Sequence, residues 1–146
     1  MDANVLIILL ISNDPLFLFN KNIAMLKALD IFFTVFHTAL ILFNLFGWMS
    51  NKTAMANFIT LSLTLLSWTV LGIFYGFGYC PFTEWHWQVL RQLGYQDLPL
   101  SYIQFLVHRI TGYTPPEKLT DILTVVGLLM AFTLSIYVNF IKKRKS

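Results

Sequence analysis

The chain has 146 residues, 57% of them hydrophobic and 12% charged, where a soluble domain carries about 25% charged residues. So little charge cannot coat a water-facing surface, and a mean hydropathy of +0.67 points to a membrane protein. The net charge of +3 comes from the C-terminal cluster Lys142, Lys143, Arg144 and Lys145; the rest is balanced, which excludes a basic groove for nucleic acid.

The first apolar stretch, Val5 to Ser12, is too short to span a bilayer, and extending it to Asn20 would place Asn13, Asp14 and Pro15 at mid-membrane. An Asp there costs about 2.5–3.5 kcal/mol. Residues 1–24 therefore read as an apolar interfacial extension, with a natural start at Met25 as the alternative, and residues 25–146 as a single membrane-embedded domain. Three runs reach the roughly 20 residues that a spanning helix needs: 29–49, 54–79 and 119–141. Continuous apolar runs without strict alternation predict helices. The fold class is thus all-α, an integral membrane bundle of three transmembrane helices. The four-residue connection Ser50–Thr53 makes the first two spans an antiparallel hairpin.

Residues 80–116 form an outer cap with two short interfacial helices. Thr83 is placed to cap the first, over residues 84–93, with Glu84 on its first turn and Gly94 at its end. Ser101 and Gln104 read as a capping box, with Leu100 and Phe105 as its hydrophobic staple, for a second helix ending near Gly112. Thr114 to Glu117 form another capping box, with proline opening the third span. The basic residues divide evenly between the two sides; the dense C-terminal cluster decides for a cytoplasmic C-terminus and an outward Cys80 loop.

Polar residues interrupt the spans in register. Asp30, His37 and Asn44 stand at i, i+7 and i+14, close to two helical turns apart, so they share one face that should point at protein rather than lipid. Asn57, Thr60, Thr64 and Ser67 repeat at helical spacing on the second span. Gly127, Ala131 and Ser135 form a small-residue packing ladder on the third, and Gly72 and Gly76 a similar step on the second. Asp30 reads as a boundary or capping residue. It lies about 10 Å along the axis from His37, so the two form no dyad without a bridging group. His37 is either a structural histidine or a ligand contact.

The stretch "GFGYCPFTEWHWQV" (Gly76 to Val89) holds the only cysteine, Cys80. A lone cysteine excludes an internal disulfide. Cys80 with His86 is too few ligands for a zinc site, so no metal is expected. Nothing in the chain order marks Cys80 as a nucleophile. Cys-Pro ends the second span, and Trp85 and Trp87 anchor at the interface.

Three segments together, "LDIFFTVFHTALILFNLFGW", "GYCPFT" and "WQVLRQLGY", resemble a bacterial family of membrane proteins, domain of unknown function 2784, over about residues 25–141. His37, Cys80, Pro81 and Thr83 match its motif positions. The resemblance implies a small bacterial inner-membrane protein in which His37 and the Cys80 loop matter. It also implies that His86, where many members carry glutamate, stands outside the site. It implies no activity and no cofactor.

Two functional classes follow. The first is a non-enzymatic accessory or interaction protein that packs against a membrane partner or a second copy through its small-residue faces. The second is an enzyme or ligand-binding protein with an outer-face site drawn from His37, Cys80, Thr83, Arg91, Asp30 and Asn44. Three spans are too few for a transport pathway in one chain, so a transporter would need oligomerisation and ranks third.

Overall fold

The structure is a computed structural model and describes residues 15–76 and 78–142, with side chains from Asn22 onward. The segment Val5 to Ser12 and the basic residues Lys143 to Lys145 lie outside the described residues. Helix α1 (Pro15–Phe46) runs through Met25 without a break. Helix α2 (Ala54–Leu66) continues through a π-helical stretch (Ser67–Leu71) into the short α3 (Gly72–Tyr75). Helices α4 (Pro81–Gln92) and α5 (Tyr102–Thr111) form the cap. Helix α6 (Glu117–Ile136) ends in a second π-helical stretch (Tyr137–Lys142). No strand occurs among the described residues. Three helical stretches are long and apolar enough to cross a membrane: Asn22–Met49, Ala54–Tyr75 and Glu117–Lys142.

The α1–α2 hairpin is fastened by side chains that serve the end of α1. The last carbonyls of a helix have no partner within it. Here Asn57 Nδ2 donates to the carbonyls of Phe43 (2.7 Å) and Asn44 (3.2 Å), and Thr53 Oγ1 donates to that of Gly47 (2.7 Å). Gly47 permits this approach, since a Cβ there would meet Asn57 Nδ2 at 3.0 Å and Cβ at 3.1 Å. The third span joins through Asn139, whose Nδ2 donates to the Ala54 carbonyl at 2.9 Å. Ala131 and Ser135 are buried, and Gly127 lies against Leu45. The expected ladder on α6 is therefore spent on packing within the chain, around Leu61 and Leu128.

The Gly72–Gly76 step behaves differently. Gly76 has φ of 105° and ends α3, and a Cβ added there would meet no described atom within 4 Å. It breaks the helix four residues earlier than the run to Tyr79 predicts and packs against no other described helix. The π-helical turn just before it lets Ser67 Oγ donate to the Tyr79 carbonyl at 2.9 Å, folding the chain back toward the bundle.

The cap helices start where backbone constraints put them rather than at the expected capping side chains. Cys80 is extended (φ −131°, ψ 120°), as a residue before proline must be, and Pro81 opens α4. Thr83 consequently sits on the first turn and is no cap. Ser101 precedes α5 without a side-chain cap bond, and Gln104 donates to the Pro115 carbonyl (2.8 Å). Leu100 is 87% exposed and staples nothing. Thr114 bonds His108 Nδ1 at 2.9 Å, and Pro116 precedes α6. The cap is docked on the bundle: Trp87, Leu90, Tyr102 and Phe105 form one buried cluster against Ile41 of α1.

Replacing Asn57 with Ala removes two interhelical bonds, each worth about 0.6–2 kcal/mol in a membrane bundle. The variant is expected to melt several degrees lower in detergent, and an unchanged melting temperature would show that the hairpin does not depend on Asn57.

Candidate functional site

Asp30, His37 and Asn44 are each 7% exposed and face the interior, as their spacing requires. Each has a different fate. Thr34 bonds back to the Asp30 carbonyl of its own helix (2.8 Å) and leaves the Asp30 side chain to other partners. The Asp30 carboxylate takes both arms of Arg109 from α5, at 2.7 Å each, and His86 Nε2 from α4 at 2.8 Å. It is neither a helix cap nor a free boundary acid: it is the acceptor on which both cap helices converge.

Residue His86, expected to stand outside the site, is fully buried at the centre of this network. An ionised carboxylate only accepts, so His86 carries its proton on Nε2 and presents a bare Nδ1. The Tyr102 hydroxyl, 3.2 Å away, donates to that Nδ1. The Tyr102 ring in turn stacks on His37, with centroids 3.8 Å apart and planes 11° from parallel. This is the bridge that Asp30 and His37 lacked: Asp30 to His86 to Tyr102 by hydrogen bonds, then Tyr102 to His37 by ring contact.

Burial sets the charge states in the cap. It holds His86 below the ordinary histidine range, and the Asp30 carboxylate only partly opposes this. Burial also pushes the Tyr102 hydroxyl up to about 12, so it remains a donor throughout the neutral range. The paired Asp30 carboxylate raises Arg109 further and keeps it cationic.

Beside the network lies a cavity of about 530 Å³ between the three spans, roofed by the cap. His37, Asn44, Thr64, Trp68, Cys80, Thr83 and Tyr102 line it, together with apolar residues such as Ile41, Leu45 and Leu128. The structure thus brings His37, Asn44, Cys80 and Thr83 to one cavity and puts Asp30 just behind it. Arg91 is not with them: it pairs with Glu84 at 2.9 Å on the exposed side of α4. Within the cavity wall, Asn44 Nδ2 donates to Thr64 Oγ1 (3.1 Å), whose proton goes to the Thr60 carbonyl (2.9 Å). Asn44 Oδ1 and His37 Nδ1 have no partner among the described residues. No group of three or more metal-ligating side chains occurs among the described residues.

Sequence reasoning missed His86, Tyr102 and Arg109. The signal for them is a question of charge: a carboxylate inside an apolar run requires a cation, and Arg109 is a cation on a short helix with an otherwise apolar face. His86 shares the buried face of α4 with Trp87 and Leu90, which also marks it as inward.

A family model described as "Protein of Unknown function (DUF2784)" matches residues 27–140. No curated protein and no solved structure matches the chain.

Acid should loosen the cap through His86. Unfolded, this histidine takes a proton near pH 6.5; folded, among Asp30, Tyr102, Arg109 and the His37 ring, it does so only at lower pH. Below about 6.5 the unfolded chain therefore binds more protons, and stability falls by at most about 1.4 kcal/mol per pH unit until the folded value is passed. The melting temperature of the protein in detergent is expected to drop between pH 7.5 and 5.5, and by less in His86→Gln. Equal acid sensitivity in both proteins would assign the effect elsewhere.

Proposed function

The chain belongs to the DUF2784 family of unknown function, and on that premise we propose that it is a small membrane-embedded binding protein for a lipid-soluble ligand. One observation carries this reading. A cavity of about 530 Å³, within the usual 300–1,000 Å³ of ligand pockets, lies among the spans, and two polar side chains of its wall, His37 and Asn44, each bury one atom without a partner among the described residues. Buried polar groups are normally satisfied, so a wall that leaves two polar side chains incompletely paired beside an apolar space supports a binding role.

The accessory-protein reading rests on small-residue faces offered to a partner. Gly127, Ala131 and Ser135 are taken up inside the chain, so that reading has lost its best surface. The residues left facing outward on the spans, Ile31, Val35, Leu63 and Ile73 among them, are large and apolar and suit lipid. The network of Asp30, His86, Tyr102 and Arg109 supports the binding reading as a clamp: it fixes the roof and the plane of His37. The protein sits in a bacterial inner membrane in this reading, with the Lys142 end cytoplasmic and the Cys80 loop outward.

Protein purified from its membrane is expected to carry a lipid-soluble small molecule near one per chain, identified by solvent extraction and mass spectrometry. Leu128→Trp, which fills the cavity from α6, should abolish that yield while the protein still melts cooperatively; undiminished ligand in this variant would place the molecule elsewhere.

The topology has its own test. A membrane-impermeant thiol reagent applied from outside should label Cys80 in intact cells, and labelling only after the membrane is broken would reverse the orientation.

A further inference from the structure

The cavity wall also constrains the chemistry of what it holds, provided the binding reading above is right. Among the described residues, the charged ones along it are Glu117 and Asp121, and neither Lys nor Arg lines it. Both carboxylates are exposed and stand in the first two turns of α6. An anionic head would meet like charge at that wall and no cation among the described residues that line it. A charge carried into the apolar shaft would lose its hydration without compensation. The cavity therefore selects an uncharged molecule.

His37 defines the contact. It is 7% exposed and no carboxylate pairs with it, so the ring is neutral and carries one proton. Its Nδ1 is buried with no partner among the described residues. A bare acceptor in that position costs less than an orphaned N–H, because unmatched donors are the rarer defect in folded proteins. The proton accordingly sits on Nε2. Since Nδ1 is the closed-off nitrogen, Nε2 is the one left to meet a ligand, as a donor. Tyr102 holds the imidazole plane from one side by stacking, and its own hydroxyl is committed to His86, so it does not compete for the same ligand atom.

Asn44 cannot serve the same purpose. Thr64 has given its proton to the Thr60 carbonyl, so only Asn44 Nδ2 can face it, which leaves Oδ1 as an acceptor. That acceptor lies about 10 Å deeper along α1 and, like His37 Nδ1, is closed off from the cavity. His37 Nε2 is thus the donor that this wall offers a ligand.

The geometry points to an uncharged, lipid-soluble carbonyl compound as the ligand, its oxygen accepting a hydrogen bond from His37 Nε2 and its apolar body lying against Leu45, Leu61 and Leu128.

The test uses the full chain in detergent, freed of co-purified lipid and labelled with ¹⁵N-histidine. Three probes of equal chain length are compared: a long-chain methyl ketone, the n-alkane and the fatty acid at pH 8. The expected result is an Nε2–H tautomer for His37, ketone-dependent shifts of its nitrogen signals, and ketone affinity about tenfold above that of the alkane and of the fatty acid. His37→Phe should remove the ketone preference and leave alkane binding in place, which also shows that the cavity is intact. His37→Gln, which keeps an N–H donor, should restore part of the preference. Ketone and fatty acid binding alike, a ketone preference that survives His37→Phe, or an Nδ1–H tautomer would each overturn the inference while leaving the binding reading standing. Failure of the ketone and the alkane alike to bind the wild-type protein would instead sink the binding reading itself.

Discussion

The fold turns on the carboxylate of Asp30. It stands inside the first apolar span, 7% exposed, where an unpaired charge would cost several kcal/mol. The chain resolves this by bringing two short helices back over the bundle. Arg109 supplies the countercharge, and His86 supplies a second donor. Their sequence separations from Asp30, 79 and 56 residues, mean that the cap cannot dock without closing both loops at once. A buried ion pair of this kind is weak as a source of net stability, since replacing it with packed apolar residues is often neutral or better. Its physical effect is on arrangement: any register of α4 and α5 that misplaces Arg109 or His86 strands a buried charge.

That arrangement passes inward to the cavity. His86, held in one tautomer by Asp30, offers Nδ1 to the Tyr102 hydroxyl, and Tyr102 lays its ring on His37. His86 Nε2, the Tyr102 hydroxyl and both terminal nitrogens of Arg109 each have a partner, so the clamp positions rather than reacts. The contrast with the cavity wall is informative. There His37 Nδ1 and Asn44 Oδ1 are unmet, while the polar groups of the inner hairpin end, Asn57 and Asn139, spend their donors on helix-end and span-to-span carbonyls. The amide oxygens of those two asparagines are also without partners among the described residues, and under-satisfied acceptors are the cheaper kind of defect.

The second span is the least regular of the three, and its irregularity shapes the cavity rim. The π-helical turn at Ser67–Leu71 widens the helix and brings Trp68 to the cavity wall. Gly76 and Gly78 then take positive φ values of 105° and 83°, conformations that glycine adopts without steric penalty. The stretch around Cys80 is thereby turned from a simple helix exit into a loop that returns to the bundle, placing Cys80 and Thr83 on the same cavity as His37.

The all-α class, the three spans, the hairpin, and the inward face of Asp30, His37 and Asn44 are all legible in the amino-acid order. They follow from local quantities: hydrophobic run length, 3.6-residue periodicity and connection length. The cap starts are not legible in the same way, because capping boxes are short patterns whose side chains are free to find other partners, as Gln104 finds Pro115 and Thr114 finds His108. Helix docking alone makes Asp30 an ion-pair acceptor, puts His86 at the centre and Arg91 at the periphery, and spends the α6 ladder internally. Pairing between residues 50 to 80 positions apart is set by how helices pack against one another, and no local period in the chain encodes that distance.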